Sequence, residues 1–192
     1  NYGAAKTPRF AREINRMRYD FELTKAELLR ERFNDTYLAW CKELGVLSRA
    51  QAYGRGFFPL ESSIGYDIPE GESWTTNWLK HKLGEEMSNE DYRRGRGYTM
   101  INKFVSSAAH LTGKRVVSCE EMTNTYQVFN ATLEFLKLGS DMSILSGITH
   151  SVLIGVNVSS PDIPFPGWVR YGAYFSEHNN WWPCMPQFTG YR

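Results

Sequence analysis

Apolar residues recur at helical spacing in three stretches of the chain. The first predicted helix opens at a T-x-x-E capping box, Thr24 to Glu27, and ends at Gly45. The second spans roughly residues 98–111 and the third roughly residues 126–138, which Gly139 closes. A further helix is predicted at about residues 169–175. The apolar face of the first helix comprises Leu28, Phe33, Tyr37, Trp40, Cys41 and Leu44.

Short apolar runs without strict alternation lie between these helices. They cover residues 46–53, 116–119 and 148–158, and each predicts a strand buried on both faces. The order of helices and strands favours an α/β fold with a parallel sheet, either doubly wound or a (β/α)8 TIM barrel. No G-x-G-x-x-G fingerprint is present, which disfavours a nucleotide-binding sheet. Residues 55–77 are rich in Gly, Pro and acidic residues and are predicted to form a long loop.

Composition and charge narrow the function classes. The 192 residues carry a formal net charge of +1, so no basic excess is available to bind a phosphate backbone. No apolar run approaches the ~18 residues that a membrane span needs. Nucleic acid and membrane partners are therefore not expected. Aromatic residues make up 15% of the chain, which fits either a well-packed core or a site that stacks on sugar rings.

Cysteines and histidines give little sign of a metal site. The three cysteines are Cys41, Cys119 and Cys184, and the first two fall in patterns typical of core positions. The four histidines form no H-E-x-x-H pair and accompany no C-x-x-C, so a zinc site is not expected. His150 opens the last predicted strand and fits a site position and a core position equally well.

Acidic residues cluster at two places where an active site is expected. In a parallel barrel the site lies at the carboxyl ends of the strands. Glu120 and Glu121 directly follow one predicted strand, and the segment from Asp67 to Glu72 lies in the loop after the preceding strand.

Two carboxyl groups are what glycosidic bond cleavage requires, one to protonate the leaving oxygen and one to activate water or attack carbon. Adjacent strand residues point to opposite faces, so Glu120 and Glu121 cannot share one site, and one carboxylate from each cluster is the sensible pair. Glu70 and Glu72 alternate, so both could face one way. Together they could supply a protonated acid or hold a hard cation such as calcium.

Several segments together resemble glycoside hydrolase family 106, the bacterial α-L-rhamnosidases. The resemblance runs from about residue 18 to the end, and its strength lies in the order and spacing of the segments. They are Arg18-Tyr19-Asp20-Phe21, Trp40-Cys41, Gln51-Ala52-Tyr53-Gly54, Asp67-Ile68-Pro69-Glu70-Gly71-Glu72, Ser107-Ala108-Ala109-His110, Gly113-Lys114, Ser118-Cys119-Glu120, Gly147-Ile148-Thr149-His150, Pro164-Phe165-Pro166-Gly167-Trp168 and Asn180-Trp181-Trp182.

This resemblance implies a (β/α)8 catalytic domain that hydrolyses terminal α-L-rhamnosides with inversion, assisted by calcium. It also implies that residues 1–192 are part of one barrel domain without its N-terminal strands and accessory β-domains. The isolated segment is then expected to be inactive, with the remaining segments of its own full-length chain as its partners. A bacterial member of this family is expected to be periplasmic or secreted.

Roles for individual residues follow from position and from the resemblance. Glu120 is the expected base, and Glu72 or Glu70 the expected acid. The remaining loop acid, Glu70 in the first instance, is the expected calcium ligand. The expected substrate-binding residues are His150, Tyr53, Trp168 and Trp181.

One departure from the family leaves alternatives open. Ile154-Gly155 stands where the family tends to place a histidine followed by glycine, and Val158-Ser159 replaces Y-S. The glutamates are kept, which favours altered specificity over lost activity. A non-catalytic carbohydrate-binding protein is a second hypothesis, and a β-galactosidase-like glycosidase is a third.

Overall fold

The computed structural model describes residues 10–53, 58–74, 89–124, 129–156, 158–168 and 171–191, with side chains in the third range from residue 99 onward. The chain begins with helix α1 (Ala11–Leu29), a π-helical turn (Arg30–Asn34) and helix α2 (Asp35–Glu43). Strand β1 (Arg49–Ala50), helix α3 (Pro59–Ser63), strand β2 (Ile68–Glu72), helix α4 (Asn89–Leu111) and strand β3 (Ser118–Glu121) follow. Helix α5 (Leu133–Leu145), strand β4 (His150–Leu153), a 3-10 turn (Trp182–Cys184) and helix α6 (Met185–Tyr191) complete the described part.

The four strands form one parallel sheet in the order β1-β2-β3-β4. Each strand therefore lies beside the strand that precedes it in the sequence. The prediction of an α/β fold with a parallel sheet is confirmed. The complete (β/α)8 barrel stays a prediction.

Helix α4 covers one face of this sheet. Val105 and Ala109 from the helix pack on Val117 and Cys119, and all four are almost fully buried. The helix approaches β2 closely at Gly71, where an added Cβ would lie 2.0 Å from Asn102 Oδ1. Glycine at this position is therefore what allows the helix to sit against the strand.

A second core lies between helix α5 and the C-terminal segment. Phe135 and Leu136 of the helix pack with Phe175 and Trp181 of that segment. The remaining buried members are Met122, Ala131, Ala173, Met185 and Phe188. Among the described residues, no helix is long and apolar enough to cross a membrane.

Several predicted helix boundaries are wrong. The first helical region begins at Ala11, and Thr24 lies inside it, where its hydroxyl donates to the Asp20 carbonyl at 2.8 Å instead of capping a helix. Helix α5 begins after Thr132, whose Oγ accepts from the Phe135 amide at 3.2 Å. Gly139 is buried within this helix and does not end it, because packing overrides the helix-breaking tendency of glycine.

The strand predictions need similar corrections. Strand β2 lies inside the predicted loop, β3 begins two residues later than predicted, and the strand part of 46–53 is only Arg49–Ala50. The predicted helix at 169–175 is wrong for residues 171–175, which are not helical, and its first two residues lie outside the described part. The segment predicted from residue 126 likewise includes 126–128, outside the described residues.

Candidate active site

Glutamates from two neighbouring strands converge on one face of the sheet. In the β2–β3 register Glu72 lies opposite Glu120, and Glu70 lies opposite Ser118. Opposed residues of neighbouring strands share a face, and side chains along one strand alternate between faces. Glu70, Glu72 and Glu120 therefore project from the same face, with the last two at the carboxyl ends of their strands.

Helix α4 covers the opposite face. Cys119 lies against this helix, and Asn102 Nδ2 contacts its Sγ at 3.5 Å. Burial raises the pKa of the Cys119 thiol well above its usual value. Glu121 alternates with Glu120, and its side chain is fully buried, whereas Glu120 is half-buried. Glu120 and Glu121 thus lie in different surroundings, as expected because adjacent residues of a strand point to opposite faces.

Glu70 is the most enclosed of the three glutamates, with 6% of its surface exposed. Arg49 Nε lies 3.0 Å from Glu70 Oε2, and the Ser118 hydroxyl donates to the same oxygen. Gln51 Nε2 donates to Glu70 Oε1 at 3.3 Å. Both carboxylate oxygens are therefore held by donors from β1, from the residue just after it and from β3. One of these donors is a guanidinium, which cannot accept a hydrogen bond.

Glu120 shares a partner with Glu70. The Gln51 amide nitrogen donates to Glu120 Oε2 at 2.7 Å, a length typical of a hydrogen bond to a charged acceptor. A single side-chain amide therefore bridges two carboxylates.

Glu72 has different neighbours, both of them hydroxyl groups. Tyr53 donates to Glu72 Oε2, and Thr123 Oγ1 donates to Glu72 Oε1 at 2.8 Å. A hydroxyl can donate to a carboxylate or accept from a carboxylic acid. The surroundings of Glu72 can therefore accommodate either protonation state.

The opposite end of β2 carries a charged cluster that holds the strands together. Asp67 Oδ1 lies 2.9 Å from Lys114 Nζ, and Asp67 Oδ2 accepts from the Ser48 amide at 3.0 Å and the Ser48 hydroxyl at 2.9 Å. Lys114 and these two hydrogen bonds lower the pKa of the Asp67 carboxyl to about 2. Asp67 therefore belongs to the amino end of the sheet, away from Glu72.

The predicted substrate-binding residues occupy four different places. Tyr53 lies in the glutamate cluster. His150 is exposed at the start of β4, opposite Ser118 in the register. Trp168 is 58% exposed on the loop after β4, where its backbone amide donates to Ser159 Oγ at 2.8 Å. Trp181 is 8% exposed in the second core, and its Nε1 donates to the Ala131 carbonyl at 2.8 Å. A role for each in binding sugar stays a prediction.

A calcium ion does not fit the surroundings of Glu70. A calcium site offers six to eight oxygen ligands, whereas Glu70 already accepts from Arg49, Gln51 and Ser118. Within the ranges that the structure describes, no group of three or more His, Cys, Asp or Glu side chains could hold a metal ion. A calcium requirement stays a prediction.

The site residues predicted from the sequence did not include three members of this cluster: Arg49, Gln51 and Thr123. For Arg49 and Gln51 a signal is spacing, because Arg49, Gln51 and Tyr53 occupy every second position and all three contact the glutamates. This is the period of an extended chain, and it continues past the two-residue strand β1.

The fold and the glutamate cluster together fit one class of enzyme, the glycoside hydrolases. Carboxylates gathered at the carboxyl ends of parallel strands in an α/β protein are the arrangement of barrel glycoside hydrolases. The chain belongs to the glycoside hydrolase 106 family, described as alpha-L-rhamnosidase, whose model matches residues 9–191. The predicted family is thus confirmed. Neither a curated protein nor a solved structure matches the chain.

Proposed function

We propose that the protein hydrolyses terminal α-L-rhamnosides by direct displacement with inversion, using Glu120 and Glu72. The observation that carries this proposal is the placement of the two glutamates opposite each other on neighbouring parallel strands, on one face and at the carboxyl ends. Membership of the α-L-rhamnosidase family supports the choice of sugar.

Glu120 takes the role of the base that activates water. Its Oε2 already accepts from Gln51 at 2.7 Å, so it is held as an acceptor by a group that adds no charge. Its second oxygen would take the proton from the attacking water.

Glu72 is better suited than Glu70 to be the general acid. An acid must hold a proton before the reaction and deliver it to the leaving oxygen. The hydroxyls of Tyr53 and Thr123 accommodate a protonated Glu72, whereas the Arg49 guanidinium beside Glu70 can only donate. Glu70 then serves to anchor the cluster.

Leaving-group dependence separates these roles. With the full-length protein, Glu120→Gln should lower kcat by at least ~100-fold on every α-L-rhamnoside, because water activation is always needed. Glu72→Gln should lose as much on rhamnosyl disaccharides but retain activity on dinitrophenyl α-L-rhamnoside, whose leaving group needs no proton. Glu134→Gln, at an exposed position in the first turn of α5, is the matched control.

Two outcomes would contradict the assignment. Near-normal turnover by Glu120→Gln would remove Glu120 from the chemistry. Leaving-group dependence in Glu70→Gln in place of Glu72→Gln would assign the general acid to Glu70.

NMR detection of the first-formed sugar should show the inverted anomer, and retention would contradict the direct displacement. Activity on aryl β-galactosides alone would select the β-galactosidase-like reading, and sugar binding without hydrolysis would select the non-catalytic one.

A further inference from the structure

Gln51 connects Glu70 and Glu120 through one side-chain amide. It is half-buried and lies just beyond β1, and its Nε2 donates to Glu120 at 2.7 Å and to Glu70 at 3.3 Å. The two N–H groups of one amide can satisfy both contacts at once.

The orientation of this amide is fixed by its neighbours. Gln51 Oε1 lies 3.4 Å from the Tyr53 hydroxyl, which can give its one proton either to this oxygen or to Glu72. The reversed orientation would place the amide oxygen against two carboxylate oxygens, none of which carries a proton when the glutamates are ionised. The observed orientation is therefore the one that suits two carboxylates.

We propose that Gln51 is a positioning residue that holds Glu120 ready to act as base. The inference rests on the proposed function and adds a residue to it. The chain of contacts begins at the Arg49–Glu70 ion pair, passes through the Gln51 amide and ends at Glu120 Oε2. Because Glu70 is held in place by its own donors, the Gln51 amide is fixed at one end and can orient the half-buried Glu120 at the other.

A neutral donor suits this task. A lysine or arginine at position 51 would form an ion pair with Glu120 and compete with its uptake of a proton from water. A glutamine donates without adding charge, so it orients the carboxylate and leaves it able to act as a base.

Two substitutions at position 51 test this role in the full-length protein. Gln51→Met keeps the length of the side chain and removes both donors. Gln51→Glu keeps the shape but, when ionised, cannot donate and adds a negative charge beside two glutamates. Gln187→Glu introduces the same charge at an exposed position of helix α6 and serves as the control.

We expect Gln51→Met to lower kcat by about 10- to 100-fold and to change KM by less than about twofold. The substitution removes a hydrogen bond to a charged group but no contact with the substrate. Gln51→Glu should move the acidic limb of the pH–rate profile to higher pH by about one unit or more, since a like charge disfavours the ionised base. Gln187→Glu should change neither.

A carboxyl carbon-13 NMR titration gives a readout that does not need turnover. The Glu120 resonance, assigned by its loss in Glu120→Gln, should titrate at higher pH in folded Gln51→Met than in the unsubstituted protein. If it does so while the protein hydrolyses no rhamnoside, the positioning role stands and the proposed function fails. An unmoved resonance, an unchanged kcat, or a change confined to KM would each overturn the role of Gln51.

Discussion

The ion pair between Asp67 and Lys114 makes the stability of the fold depend on pH. It joins the start of β2 to the segment that leads into β3, and Ser48 ties the same carboxylate to the approach to β1. The low pKa of Asp67, about 2 against an ordinary 3.8, means that the folded state prefers the charged form. The stabilisation is therefore complete above about pH 4 and disappears as the pH falls toward 2.

Replacing Asp67 by Asn should thus destabilise the protein in a pH-dependent manner. The side chain of Asp67 is 37% exposed, so solvent screening limits the loss to about 1 kcal/mol at pH 6. Denaturant unfolding of both proteins at pH 6 and pH 3 should show the difference in unfolding free energy shrinking at the lower pH. Asp162→Asn, at an exposed loop position, is the control. A difference that grew on acidification would contradict this explanation.

At the level of single residues, Glu120 could be nominated from the sequence because it follows a buried apolar run, and Glu70 and Glu72 because they belong to an acidic cluster after the preceding predicted strand. Gln51 could not. It lies in a predicted strand and in a segment that resembles the family, but its uncharged amide acquires a role only from two carboxylates, 19 and 69 positions away in the chain, that it contacts in the folded protein.

Among the elements, the π-helical turn between α1 and α2 provides a connection to the sheet. Asn34 ends this turn and is buried, and it accepts from the Tyr66 hydroxyl at 2.8 Å while its Nδ2 donates to the Ser62 carbonyl at 3.1 Å. Tyr66 is fully buried, and burial raises its pKa to about 12. One asparagine thus joins the helical region to α3 and to the segment before β2.

Tyr66→Phe should destabilise the protein by about 1–3 kcal/mol, because buried Asn34 Oδ1 loses its hydrogen-bond donor. The raised pKa of Tyr66 means that its contribution is complete below about pH 10 and is lost as the pH rises toward 12. Chemical denaturation at pH 7 and pH 11 measures both effects, and the gap between the two proteins should narrow at the higher pH. Tyr19→Phe, where the tyrosine is 67% exposed, should have little effect.

The alternation of helices with strands β1, β3 and β4 could be predicted, but helix α3, strand β2 and several boundaries could not. Strand β2 was missed because Pro69, Gly71 and two acidic residues are typical of a loop. It forms a strand because pairing with β1 and β3 satisfies the hydrogen-bonding groups of its backbone. Gly71 also leaves room for helix α4 to pack against it. Thr132 could have been recognised as a cap, yet the apolar residues before it extended the predicted helix too early.

Considered as a whole, the described part of the protein is a four-stranded parallel sheet with β1 and β4 at its edges. A closed barrel has no edges and takes eight strands. The face of β2 and β3 that carries the three glutamates lies within these four strands, half the number that a closed barrel takes.

We therefore expect the 192-residue chain alone to fold its sheet but to hydrolyse α-L-rhamnosides far more slowly than the full-length protein. An open site leaves the glutamates in contact with bulk water and does not enclose the sugar. Parallel assays on aryl α-L-rhamnosides, with circular dichroism to establish folding, measure the difference. Equal turnover by the two proteins would show that this chain forms a complete active site.

Gly71 lies between Glu70 and Glu72 and faces helix α4 on the other side of the sheet. In a survey of tolerated substitutions this glycine would be grouped with the acids on either side of it, although it has no side chain to offer a sugar. Any added carbon would displace Asn102 or move the strand, and a moved strand carries both carboxyl groups with it. Intolerance to substitution would therefore be as strong at this glycine, which supports the strand, as at the glutamates that carry the chemistry. Only the fold distinguishes these two causes.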